Sequence, residues 1–239
     1  MLKQEDYKQH ISEKLNSELE GIKNQLLEMG GKVEKQLTEA VEALVTRDTS
    51  EAEEIMNRDH EVNLMEMRID DECATILARR QPAASDLRLV VTVIKVNTDI
   101  ERIGDEAAKI ARQCIRLAEE SVSPTNYIEI RHIGSHVASM LRKALDAFAR
   151  LDMDLAVEVV KEDEDVDKEY GSAMRSLVTF MMEDQRNIGS ILNEMWALRS
   201  LERIGDHASN IAEHVVYLVR GLDVRHQDSI EKFIEQAGE

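Results

Sequence analysis

Glu101 and Asp105 stand four residues apart, as do Glu202 and Asp206, each pair inside a Glu-Arg-Ile-Gly-Asp string found at 101–105 and again at 202–206. On a helix, that spacing places both carboxylates on one face, one turn apart. Glu101 interrupts a stripe of Val90, Ile94, Asn97, Gly104, Ala108 and Ala111, and Glu202 interrupts one of Met195, Leu198, Gly205, Ala212 and Val216. A carboxylate in such a stripe suffers desolvation unless it meets a cation, a hydrogen-bond donor or a metal. Residues equally far from a helical turn should meet across it. Counting back from the turn near 183–186 sets Asp163 and Asp167 opposite Glu202 and Asp206. The same count brings Asp59 and Asn63 to Glu101 and Asp105, with Glu61 and Glu66 close by and Glu66/Asp70 as a pair on the rim. Oxygen donors converging from two helices, without an evident histidine or cysteine partner, suit Mg²⁺, Mn²⁺ or iron. The plainer alternative is an acidic face solvated and paired with lysine and arginine.

Other reactive residues promise less. Glu129-x-x-His132 followed by His136 mimics one element of a di-iron bundle, but such sites use two copies plus two further glutamates; these read as surface or core-edge histidines. His60, His207 and His214 read as ordinary polar positions or as supplements to a metal shell. Arg102 and Arg203 point away from the carboxylate pairs that flank them. The chain offers no glycine-rich phosphate loop, Ser/His/Asp set or cysteine nucleophile.

The elements that must position these acids form an internal repeat. Aligning Gly30 with Gly134 carries through Val33/Val137, Leu37/Leu141, Asp48/Asp152, Ala52/Ala156, Asp59/Asp163 and Val62/Val166, and then, with a shorter connection, to the two Glu-Arg-Ile-Gly-Asp strings. Each half reads as three helices. In the first they run from about Ile11 to Arg47, from a cap at Asp48 with Glu51 in capping-box spacing to about Arg80, and, after Pro82, from a cap at Ser85 to about Glu120. In the second they run over about 126–151, 153–183 and 188–220, with Gly221 as the stop. Ser121-Val122-Ser123-Pro124 is the clearest linker, dividing the chain into 1–121 and 122–239. The fold class is therefore all-α, two homologous three-helix bundles. Gly30-Gly31 inside a helical pattern predicts a close helix approach.

Composition agrees. The 239 residues include only 2 prolines and 10 glycines, which favours long helices over a β-sandwich. The balance of 48 acids to 30 bases, a formal charge of −18, argues against nucleic acid as a partner. It also predicts that the metal-free chain repels phosphate. Cys73 and Cys114 lie in apolar helical patterns and read as buried free thiols of a reducing compartment. No stretch approaches the roughly eighteen apolar residues of a spanning helix, and the N-terminus lacks a signal-peptide profile, so a cytoplasmic protein is expected.

ERIGDEAAKIA at 101–111, ERIGDHASNIAEHV at 202–215 and ARRQPAASDLRLV at 78–90 closely resemble the PhoU family, as do the opening HISEKLNSELEGIKNQLLEMGG and the stretch LDAFARLDMDLAVEVVKEDEDVD. The resemblance covers nearly the whole chain. It implies two homologous three-helix bundles, and a peripheral cytoplasmic regulator that works with the phosphate ABC transporter and its sensor histidine kinase to repress the phosphate-starvation response. It also implies metal ions (Fe, Mn, Mg or Zn) at paired E(D)-x-x-x-D motifs. Carried over by residue, the second site is Asp163, Asp167, Glu202 and Asp206; the first has Asp59, Glu101 and Asp105, with Asn63 standing where the other copy has Asp167. A homodimer is expected because most soluble oligomers are cyclic pairs. Absence of catalytic machinery favours an adaptor; the alternative is a carboxylate-bridged metalloenzyme, and the plainest alternative a bundle whose acids are merely solvated.

Overall fold

A computed structural model of the chain describes residues 4–120 and 127–221, with side chains from residue 13 onward. Six long helices account for nearly all of them: α1 (Gln4–Thr46), α2 (Thr49–Arg80), α3 (Ala84–Glu119), α4 (Tyr127–Arg150), α5 (Met153–Glu183) and α6 (Ile188–Arg220), with a 3₁₀ turn at Gln185–Asn187 before the last. The described residues contain no strand. The expected 121/122 boundary falls at residues outside the described ones.

The short turns repeat between the copies. Arg47 and Leu151 adopt left-handed φ values of 57° and 55°, and the following amides of Asp48 and Asp152 donate back to Ala43 O and Ala147 O at 2.9 and 3.0 Å. This closes one helix and turns the chain at once into the next. Asp48 and Asp152 then cap α2 and α5, accepting from the amides of Glu51 and Leu155, both at 3.1 Å. The capping box is only half made, because the Glu51 carboxylate binds Arg58 at 2.6 Å instead. The expected cap at Ser85 is not found. α3 is entered at Ala84 after Ala83, which makes no side-chain cap bond. Ser85 thus lies within the first turn, its hydroxyl beside Asp86 Oδ1 at 3.5 Å.

One continuous core serves both halves. The seam Val93, Val96, Ile100, Ile103, Ala107, Ile110, Cys114 and Leu117 of α3 is fully buried, and so are Leu198, Leu201, Ile204, Ala208, Ile211 and Val215 of α6. α3 and α6 lie antiparallel at the centre, joined by Glu120–Asn193 (3.0 Å), Glu106–Arg203 (2.8 Å) and Asp99–His207 (3.0 Å). α1 and α4 pack antiparallel in the same way, tied by Lys23 Nζ to Ala149 O (2.7 Å) and Glu34–Arg142. A pseudo-twofold axis relates the copies. A Cβ on Gly30 would come within 2.7 Å of Leu145, and one on Gly134 within 2.8 Å of Val41; under the repeat these are the same contact made twice. Gly31 meets nothing within 4 Å, so close approach accounts for Gly30 alone. Both cysteines are buried and free, and burial pushes the Cys73 thiol up to about 12 and that of Cys114 to about 11. No helix is long and apolar enough to cross a membrane among the described residues.

Candidate carboxylate centres

In the second bundle α5 and α6 bring Asp167, Glu202 and Asp206 together, each offering an oxygen within 4.8 Å of the other two. Asp163 lies one turn along α5, against Gly205: a Cβ there would touch Asp163 Oδ1 at 3.5 Å and Val166 at 3.4 Å. Burial raises Asp163 to about 6, the neighbouring Asp206 and Asp167 push the same way, and a hydrogen bond from Ser209 partly opposes them. Burial also raises Glu202 and Asp206, each raised further by other acids of the set. One cation intrudes: Arg199 reaches Glu202 Oε1 at 2.5 Å, while Glu202 Oε2 is buried with no partner among the described residues.

In the first bundle α2 and α3 repeat the arrangement with altered residues. Asp59 lies against Gly104, whose Cβ would touch its Oδ1 at 3.4 Å, and accepts from Gln36 Nε2 at 3.2 Å. Burial raises Asp59, Glu66 and Glu101, and Asp105 adds to each. Among the described residues, no three acids of this bundle draw within 4.8 Å of one another as in the second. Asn63 Oδ1 is buried and without a hydrogen-bond partner among the described residues. Glu66 is raised by burial, by Asp70 and by Asp105, and in turn raises Glu101, so its charge acts on the same set. Asp70 is engaged by Asn97 Nδ2 at 3.0 Å. Glu61 does not join them; it faces outward to Lys32 at 3.4 Å.

The two centres are thus variations on one plan. Where the second has Asp167, Tyr170 and Arg199, the first has Asn63, Glu66 and Thr98. The charge lost at Asn63 is restored at Glu66, and no arginine occupies the position of Arg199.

The histidines take roles the sequence did not single out. His207 Nδ1 and His214 Nε2 of α6 both address Asp99 of α3, at 3.0 and 3.4 Å, and all three are buried. Burial raises the Asp99 carboxyl, but the two imidazoles outweigh it and hold Asp99 below its ordinary range. Neither histidine joins the group of Asp167, Glu202 and Asp206 within 4.8 Å, while His207 Nε2 is buried without a hydrogen-bond partner among the described residues. His132 and His136 share Glu169 of α5 at 3.2 and 3.1 Å, as solvent-side and core-edge residues would.

With this geometry in view, comparison with known proteins is decisive. The family model described as the PhoU domain matches twice, at residues 26–114 and 130–215. The chain belongs to the PhoU family. The accessory protein of the phosphate-specific transport system from Pseudomonas aeruginosa, a PhoU homologue, is 57% identical over 226 residues, 95% of this chain and 93% of its own. The PhoU accessory protein of Escherichia coli is 44% identical over 227 residues, 94% of both chains. The crystal structure of PhoU from Pseudomonas aeruginosa superposes with a TM-score of 0.85 at 58% identity, covering 87% of this chain and 99% of that one. That of the phosphate transport regulatory protein PhoU from Streptococcus pneumoniae gives 0.82 at 31%, covering 89% and 100%. These PhoU relatives are named as accessory and regulatory proteins, not as enzymes. The repeat of PhoU domains matches the duplicated helices seen here.

Proposed function

We propose that this chain is the regulatory accessory protein of a phosphate transport system, restraining uptake and the starvation response when phosphate is ample. The observation that carries this reading is similarity across almost the full length to two accessory proteins of that system. The partners are the cytoplasmic side of the phosphate ABC transporter and the sensor histidine kinase, bridged by the helical surfaces of a cytoplasmic homodimer. Tagged protein from phosphate-replete cells should retain the transporter's nucleotide-binding subunit and the kinase, and deletion should switch starvation genes on in rich phosphate. Failure of both would remove the proposal.

The carboxylate centres are proposed to hold metal. The donors are Asp163, Asp167, Glu202 and Asp206 in one bundle, and Asp59, Asn63, Glu101 and Asp105 with Glu66 in the other. What supports this is the fit of the residues: carboxyls raised by burial and by one another despite the nearby arginines, and the orphaned oxygens of Asn63 and Glu202. An all-oxygen set favours Mg²⁺, Mn²⁺ or iron over Zn²⁺. Such an ion would supply the positive charge these acids lack and tie each pair of facing helices. Protein purified without chelators should carry stoichiometric metal, and Glu202→Gln with Asp206→Asn should lose the share bound at the second centre. Metal-free wild-type protein would refute the assignment.

A further inference from the structure

The pseudo-twofold axis makes the divergence of the two copies informative at the α3/α6 junction. On one side Arg203 is neutralised by the buried Glu106 of α3, at 2.8 Å. The repeat that aligns Glu101 with Glu202 aligns Arg102 with Arg203 and Glu106 with His207. On the other side, then, Arg102 meets a histidine position where its duplicate meets a glutamate. Among the described residues Arg102 makes no ion pair and no hydrogen bond. Its charge acts on its chain neighbour Glu101, whose carboxyl it lowers, without closing an ion pair.

Arg102 lines an open cleft of about 330 Å³ between α3 and α6, with Lys95, Thr98, Asn210 and His214. Lys95 also lacks an acidic partner among the described residues; its ammonium lies 5.3 Å over the Tyr217 ring. The acid in the cleft wall is Asp99, whose oxygens are engaged by His207 and His214 and by the Asn210 amide at 3.4 Å. The cleft thus presents a guanidinium, an ammonium and an amide around a single lining carboxylate, Asp99, that is already hydrogen-bonded, while the Thr98 hydroxyl donates to Ile94 O at 3.3 Å. Guanidinium and ammonium groups are the recurrent partners of phosphate oxygens, the former in a fork that two oxygens can share.

We propose that this cleft binds inorganic phosphate, one ion per chain, held by Arg102 and Lys95 with the second N–H of the Asn210 amide as a neutral partner. The overall charge predicts repulsion of phosphate, but over the length of one cleft the local pair of cations governs, because distant surface acids are screened beyond about 8–10 Å. The ion would lie across the junction of the two bundles and so could couple phosphate level to their packing. That last meaning rests on the regulatory reading above; the binding does not.

Calorimetric titration of the full-length protein with sodium phosphate, without divalent cations, should show saturable 1:1 binding. Arg102→Gln should weaken it about tenfold or more, the loss of one charge-assisted contact, and Lys95→Gln should weaken it in the same direction. Arg203→Gln, which alters the neutralised duplicate, should leave the affinity within about twofold. Circular dichroism checks that each variant keeps its helices; should Arg102→Gln fail to fold, Arg102→Lys, which keeps the charge but not the fork, should still bind more weakly than wild type. Absence of heat at millimolar phosphate, or equal affinity in folded Arg102 and Lys95 variants, would overturn the proposal. So would heat that requires Mn²⁺ and disappears in Glu202→Gln, which would assign phosphate to the carboxylate centre. Sedimentation with phosphatidylglycerol vesicles in place of phosphate binding would assign the cations to a lipid headgroup and equally overturn it. Because no partner protein is present, a negative titration leaves the transporter and kinase reading standing, and failed partner capture leaves the cleft standing.

Discussion

Asp163 concentrates the chemistry of the second centre in a single group. Its carboxyl is raised from 3.8 to about 6 by burial and by the acids around it. The folded chain therefore binds this proton more tightly than the unfolded chain does. Its contribution to stability is full below the unfolded value and is lost as pH climbs through about 6. In metal-free protein the wild-type melting temperature should therefore fall, relative to Asp163→Asn, as pH rises from about 5 to about 7. Taking the difference between the two proteins cancels carboxylates of opposite sign, such as Asp99, whose lowered value favours the folded state at higher pH. A difference that is flat or that grows with pH would contradict the account. Bound metal should remove the effect, because a cation takes the place of the proton.

Helix packing makes its own demands on the same chain. Gly31 is exposed with nothing near its absent Cβ, so Gly31→Ala should stabilise by about 1 kcal/mol through helix propensity alone. Gly134→Ala gains the same propensity but drives its methyl to 2.8 Å from both γ-carbons of Val41, a side chain with little freedom to turn away. Overpacking of this kind costs about 1–3 kcal/mol, so the net change should be a loss, read as a lower denaturant midpoint. The α5/α6 and α2/α3 pairs respond to a different force, the repulsion among their facing acids. A saturating divalent cation, at a hundredfold excess over its Kd, should stabilise the fold by about 2.7 kcal/mol for each occupied centre, or roughly 5–10 °C each. Glu202→Gln combined with Asp206→Asn should abolish the part of that rise due to the second centre, as followed by calorimetric melting.

At the level of the molecule, the two copies behave as one folding unit. The central α3/α6 contact and the α1/α4 contact leave each bundle with an apolar face that only the other covers. A chain ending at residue 121 should therefore fail to stay monomeric, associating with itself or with residues 122–239 added in trans. Sedimentation velocity reads this directly, and a well-folded monomer would show that the bundles are independent. The pseudo-twofold arrangement also explains how one molecule can be symmetric in packing and asymmetric in chemistry. The glycine contacts are kept in both copies, whereas Asn63/Asp167, Glu66/Tyr170, Thr98/Arg199 and Glu106/His207 have diverged at the sites.

The helix count, the duplication, the opposed carboxylate pairs and the boundaries of α5 and α6 were all legible in the sequence. Periodicity, capping residues and repeated strings are local signals, and antiparallel neighbours joined by a tight turn meet at a register set by equal rise. Tertiary structure alone decided what lies across the junction between copies: Asp99 with His207 and His214, Arg203 with Glu106, and Arg102 left with the cleft. These partners are about a hundred residues apart, on helices joined by no short turn, so no spacing rule connects them. It also decided that Glu61 pairs with Lys32 while the charge of Glu66 acts on Glu101, since both lie close to the same helical stripe and only packing distinguishes them. Net charge is a sum over the whole surface and was read correctly as such. Where the charge is uncompensated depends on which helices touch, and only the folded chain determines that.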